Sequence, residues 1–288
     1  MLRVSSLNID PVQAAAAPLT VSNWECFDGA LLAVCFQYGD THVIDGTAVM
    51  IGLGLALSAK HVFDNHRDAL YKGHAVLLCF GMCPNGRLDI WHCYAMSPED
   101  GDGDLELLSL KLVSDLPADG HFMVTPLTTR IPPPGEALTV VGFRFEDSAS
   151  TDSIHNPVTL GGLLYVSQGA AGQFSYPIHD SVVAPYPTIE ILSGSLGGMS
   201  GGAAFDGNGR LIGIISRGDD ASGFVSLLWP SVFTPIELAW PPVPIEGRIT
   251  LASLTSIGWT NLENLENLIE AIDDDGTPHV GLTATVER

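Results

Sequence analysis

The stretch GMSGGAAFDGNGRLIGIIS, residues 198–216, sets one serine in a frame of very small residues. With Gly197 just before it, four glycines crowd Ser200. Glycine this dense costs backbone entropy and buries no side chain. Such a run is either a plain loop or a place where the backbone must come very close to another group. The frame suits a nucleophile, because substrate must reach the hydroxyl and nearby N–H groups must stay open to a developing oxyanion. Downstream, Asp206-Gly-Asn-Gly209 reads as a hairpin turn between two strands. The motif is short, and it becomes informative only together with a base and a carboxylate that orients the base.

Working upstream, both partners are present. LALSAKHVFD (55–64) puts His61 just after an apolar strand that begins GTAVMI (46–51), and DGDLELLSLKL (102–112) puts Asp104 immediately before another. Taken singly, a histidine at a strand end is more often structural, and an aspartate before a strand is usually a turn residue. Asp102 competes with Asp104, but only Asp104 abuts the LELL strand.

The rest of the chain reads as short strands and turns. GALLAVCFQYGD (29–40), GTAVMIGLGLALSA (46–59), HAVLLCFGM (74–82) and LDIWHCYAM (88–96) are hairpin material, with PNGR (84–87) as turn chemistry. After the proline-rich connector IPPPGE (131–136), ALTVVGFRF, TLGGLLYVSQG, PTIEILSG, RLIGIIS and GFVSLLW form a second block. Thirty-one glycines and nineteen prolines suit such a fold and disfavour long helices. The expected architecture is all-β, with two packed six-stranded antiparallel barrels and a short C-terminal helical extension. The expected divisions are an N-terminal arm (1–23), a first barrel (24–113), a connector (114–136), a second barrel (137–236) and an extension (237–288). In that extension Thr260-Asn-Leu-Glu263 has capping-box form, and Leu262, Leu265, Leu268, Ile269 and Ile272 recur at helical spacing, which predicts an amphipathic helix ending at DDDGTP (273–278).

The order His, Asp, Ser and the flanking segments resemble the chymotrypsin/trypsin-like serine peptidases, especially their bacterial branch. GTAVMIGLGLALSAKHV resembles that family's strand into the catalytic histidine, and DLELLSLKL its aspartate segment. GMSGGAAFDGNGRLIGIIS resembles its serine motif, hairpin and following strand. The resemblance spans about residues 24–236. It implies Ser200 as nucleophile, His61 as general base and then acid, and Asp104 as the group orienting the imidazole. It implies an oxyanion hole from the N–H groups of Gly198 and Ser200, and Ser216, Arg217 and Gly218 as a segment pairing with extended substrate. Gly194 falls near the family's pocket floor and offers no fixed charge, which favours apolar or aromatic side chains. Asp219 and Asp220 would instead make an acidic rim favouring Arg or Lys.

There are departures from the family pattern. Where the digestive enzymes carry an aspartate that pairs with a newly cut N-terminus, this chain has Met199. Activity is therefore expected not to depend on such cleavage. Ala203 stands where the family usually has proline, with little expected consequence. Lys60 is expected to point to solvent, away from its neighbour His61.

Composition narrows the partners. A formal net charge of −21, from 12 Lys and Arg against 33 Asp and Glu, repels phosphate backbones and anionic lipid, so neither nucleic acid nor membrane is an expected partner. A protein or peptide substrate is expected, with any activator or dedicated target unnamed by the sequence. Five cysteines (Cys26, Cys35, Cys79, Cys83, Cys93) and an N-terminal stretch without an uninterrupted apolar run point to reduced thiols in the cytoplasm. Cys79, Cys83, Cys93 and His92 lack the paired short spacing of structural zinc sites, so no metal or cofactor is expected.

Two other functions fit parts of the pattern. Gly198-Met-Ser-Gly-Gly202 satisfies GxSxG, and His279 follows in the order of an α/β-hydrolase esterase, yet that elbow needs a helix directly after the serine. A non-catalytic interaction module on the same scaffold is the third reading. Nothing in a scaffold demands all three of His61, Asp104 and Ser200.

Overall fold

The computed structural model describes residues 3–4, 19–20, 27–97, 103–118, 120–145, 162–182, 184–218, 222–236, 249–272 and 278–282. Six strands form the first barrel: β1 (Leu31–Tyr38), β2 (Thr41–Gly52), β3 (Leu55–Ala59), β4 (Val76–Met82), β5 (Leu88–Met96) and β6 (Leu105–Leu112). They pair in the order β1-β2-β3-β6-β5-β4 and close on themselves, all antiparallel. Closure leaves no free edge and turns the strands' apolar residues inward. Leu32, Phe36, Met50, Ile51, Leu55, Leu57, Leu108 and Leu110 are all but inaccessible there.

The second barrel contains β7 (Ala137–Phe145), β8 (Gly162–Ser175), β9 (Thr188–Ile191), β10 (Ala203–Phe205), β11 (Leu211–Gly218) and β12 (Gly223–Leu227). Its ring runs β7-β8-β9-β12-β11-β10 and closes through β10 pairing with β7. The Asp206–Gly209 turn expected from the sequence joins β10 to β11. Asp206 accepts the N–H groups of Asn208 and Arg210 at 2.9 Å each, and Gly209 takes a positive φ of 73°.

The fold thus matches the expected pair of antiparallel barrels. Among the described residues helix is confined to short pieces, including α1 (Arg67–Tyr71) and α2 (Leu251–Ser256). No helix among the described residues is long and apolar enough to cross a membrane.

The C-terminal extension corrects one expectation. Its helix is α2, opened by a capping box in which Thr250 and Ser253 bond reciprocally. The periodic stretch from Leu262 onward is not an amphipathic α-helix: it is two strands joined by one 3-10 turn, Leu265–Asn267. Leu262 and Glu263 lie parallel to Leu127 and Thr128, Asn264 takes a left-handed φ of 66°, and β13 (Leu268–Ile272) pairs with β14 (Pro278–Leu282). The left-handed residue stops a helix in its first turn, and strand pairing satisfies the backbone instead.

The extension touches both barrels. Trp259 donates its indole N–H to the Leu53 carbonyl of the first (3.1 Å), and Arg210, just before β11 of the second, binds Glu263.

Candidate active site

His61 sits in a 3-10 turn, Lys60–Val62, that leaves the end of β3. Asp104 immediately precedes β6, the neighbour of β3 in the ring. This adjacency makes the two segments bond repeatedly. The Lys60 N–H donates to the Asp104 carbonyl (3.2 Å), the His61 N–H to Asp104 Oδ1 (3.0 Å), and His61 Nδ1 meets Asp104 Oδ2 at 2.7 Å. Because a carboxylate only accepts, Nδ1 carries the proton and Nε2 is left as the basic nitrogen. Lys60 therefore begins the histidine turn rather than lying on a strand face, and it is half-buried.

Asp104 is 7% exposed and His61 27%. Burial alone would raise the Asp104 carboxyl, but the hydrogen bonds and charge of His61, with the Ser216 hydroxyl, outweigh it and hold the group below the usual carboxylate range. It stays ionised at neutral pH.

Ser200 comes from the second barrel, in the turn before β10. Leu196 to Met199 make a tight turn, with the Met199 N–H donating to the Leu196 carbonyl (3.0 Å) and Gly198 at a φ of 93°. Gly201 and Gly202 spend their N–H groups on Ile215 and Met199 carbonyls (2.8 and 2.9 Å). Among the described residues the N–H groups of Gly198 and Ser200 donate to nothing. These are the two donors expected for an oxyanion.

The glycines answer to space as well. A Cβ at Gly201 would lie 2.0 Å from the Thr47 carbonyl, and its φ of 79° disfavours other residues. Gly46 (φ 108°) is pinched between Val62 and the Ser200 carbonyl, where a Cβ would come within 3.0 Å of both. These contacts cross the seam between the barrels. Thr47 tightens the same seam: its N–H donates to the Ser200 carbonyl (2.8 Å), and its Oγ1 accepts the Phe143 N–H (2.9 Å).

His61 and Ser200 line one cleft of about 440 Å³, together with Ser195, Leu196, Gly197, Ile215, Ser216, Arg217, Gly218 and Phe224. Gly194 is buried and does not line it. No hydrogen bond joins Ser200 to His61 among the described residues. Such contacts commonly tighten only when substrate is bound.

Ser216 does more than the sequence indicated. It is the extra residue of a β-bulge, since Ile215 pairs with Val225 and Arg217 with Phe224. Bulges re-aim side chains, and here Ser216 Oγ donates to Asp104 Oδ2 at 2.5 Å. Arg217 and Gly218 follow at the exposed end of β11, beyond the last residue that pairs toward β10. Asp102, Asp219 and Asp220 lie outside the described residues. No group of three or more His, Cys, Asp or Glu able to hold a metal occurs among those described. Cys83 donates to Asp89 and Cys93 to the Ala95 carbonyl.

Ser200 leads into strand β10, not a helix, so the elbow of an esterase is absent. Two closed six-stranded antiparallel barrels with a polar cleft at their seam define the chymotrypsin-like fold. Residues 46–214 match the trypsin-like peptidase domain, well over half the chain, and the chain belongs to that family.

Solved structures similar to it include Deg5, 15% identical over 68% of this chain and 83% of that one, with a TM-score of 0.47. The HtrA-type protease AlgW with a tripeptide is 20% identical over 69% of this chain and 56% of its own, at a TM-score of 0.45. The Rv3671c protease from M. tuberculosis in its active form is 12% identical over 69% and 76%, at 0.47. No curated protein matches the chain in sequence.

Proposed function

We propose that the protein is a serine endopeptidase that hydrolyses peptide bonds of a protein or peptide through an acyl-enzyme. The observation that carries this is the His61 Nδ1–Asp104 Oδ2 bond of 2.7 Å in the cleft that Ser200 also lines. In this mechanism His61 Nε2 takes the Ser200 Oγ proton as the hydroxyl attacks the scissile carbonyl, and the imidazolium is stabilised by Asp104. The free N–H groups of Gly198 and Ser200 receive the oxyanion. His61 then returns the proton to the leaving amine, and water repeats the sequence on the acyl-enzyme. Extended substrate pairs along Arg217 and Gly218 as an added strand.

Activity is independent of N-terminal cleavage in this reading. Met199 is fully buried, and its sulfur accepts the Leu196 N–H at 3.3 Å, so a neutral side chain fills the space beneath the oxyanion turn. No carboxylate there waits for an ammonium group. The free thiols Cys35, Cys79, Cys83 and Cys93 accord with a reducing compartment such as the cytoplasm.

A fluorophosphonate probe tests the assignment. Labelling of the uncut chain that disappears in both Ser200→Ala and His61→Ala is the expected result. Labelling that survives His61→Ala, or that appears only after proteolytic trimming, would overturn it.

A further inference from the structure

Tyr186 stands just outside the residues assigned so far. It lies in Ala184-Pro185-Tyr186-Pro187, immediately before β9. The flanking prolines fix their own φ and restrict Tyr186 to extended backbone, so its ring has a defined direction. The side chain is 9% exposed, and its hydroxyl lies 2.5 Å from Ser216 Oγ.

The proton directions in this buried chain are determined. Asp104 is a carboxylate and only accepts, so Ser216 spends its one proton on Asp104 Oδ2. Ser216 Oγ then has only lone pairs left, and in the Tyr186–Ser216 contact the phenol must be the donor. Burial and the Asp104 charge raise the Tyr186 phenol, with Ser216 and Arg217 only partly offsetting them, so it keeps its proton to donate. The protons of Tyr186 and Ser216 therefore both point toward Asp104, and the imidazole of His61 points to it from the other side. Hydrogen bonds linked head to tail polarise one another.

We propose that Tyr186 is a positioning residue that fixes Ser216 as a donor to Asp104 and so holds the orientation of the triad carboxylate. The proposal rests on the peptidase reading for its catalytic consequence. The Ser216 hydroxyl lies between Asp104 and Tyr186, and without the phenol's donated proton its rotor is free to turn away from Asp104. Asp104 Oδ2 would then keep His61 as its one side-chain donor.

The test uses the full chain and Tyr186→Phe, which keeps the ring and removes only the donor. The expected result is a kcat lower by about three- to tenfold, the worth of one net hydrogen bond, with KM unchanged. The NMR resonance of the His61 Nδ1 proton is expected to move in Tyr186→Phe, and Tyr186→Phe to add nothing further in a Ser216→Ala background. Should Tyr186→Phe fail to fold, 3-fluorotyrosine at position 186 keeps the shape and strengthens the donor, and the resonance is expected to move the opposite way from its shift on donor loss in Ser216→Ala. An unmoved resonance, or full additivity with Ser216→Ala, overturns the proposal. The resonance reports the His61–Asp104 bond whether or not peptide is cleaved. A wild type that cleaves nothing but shows the shift therefore overturns the peptidase reading and leaves this inference standing.

Discussion

The two barrels share one strand order: β1-β2-β3-β6-β5-β4 in the first corresponds step by step to β7-β8-β9-β12-β11-β10 in the second. Their contributions to the cleft are nevertheless opposite. The first barrel supplies a pair already bound to each other, with both the backbone and the ring of His61 held by Asp104. The second supplies a turn kept open, in which Gly198 and Ser200 hold their N–H groups in reserve. The ladders are alike and the loops differ, so chemistry here lies in what is inserted between strands rather than in the strands.

The sharpest way to break the comparison is to remove one member from each side. Ser200→Ala from the second barrel and Asp104→Asn from the first are each expected to lower peptide cleavage on the order of 10⁴-fold. A steady-state assay on a peptide library reads this, and an effect below tenfold for either would sink the division of labour.

Next in size is the rigidity of the first barrel. Arg67 of α1 reaches Glu106 of β6 at 2.8 Å, and Glu106 is fully buried two residues past Asp104. Arg67→Ala leaves that carboxylate without its main counter-charge and is expected to cost about 3–5 kcal/mol in urea unfolding. Burial already raises the Glu106 carboxyl, with Arg67 and Ser97 only partly offsetting it. A raised carboxyl favours the folded state most at low pH, and that contribution is lost as pH rises through the folded value. The penalty in Arg67→Ala is therefore expected to be smallest in acid and to grow toward neutrality; a flat profile would contradict the assignment.

The openness of the second barrel's turn is tested by Gly201→Ala. Backbone strain alone is expected to cost on the order of 1–3 kcal/mol, and labelling of Ser200 to slow with it. Unchanged labelling would show that the turn has slack. Smallest is Trp259→Phe, which removes the bond from the C-terminal extension to Leu53. A loss of about 1 kcal/mol in thermal unfolding is expected, with cleavage per folded molecule unchanged.

Much of this arrangement was legible in the chain, because strand alternation, turn residues and the serine motif are local signals. His61 and Asp104 could be found since each abuts an apolar strand, and those two strands turn out to be neighbours. The extension was not legible in the same way. Leu262, Leu265, Leu268, Ile269 and Ile272 fit a helical period, but the partner of Leu262 is Leu127, far away in sequence, and the left-handed Asn264 has no signature of its own. The helix start at Thr250 lacks the usual capping-box signature, because its third position is Ser253 rather than Glu or Gln. Tyr186 and the bulge at Ser216 were beyond reach for a similar reason, since both depend on where distant strands register.

Thr47 joins the two barrels at a single point in space: one residue of the first grips the Ser200 carbonyl and the Phe143 amide of the second. Ser200 is thereby moored to the opposite half of the molecule by its own backbone. Under the proposed chemistry, separated halves are expected to be inert however well each folds, and the return of cleavage on mixing them would count reunited molecules one by one.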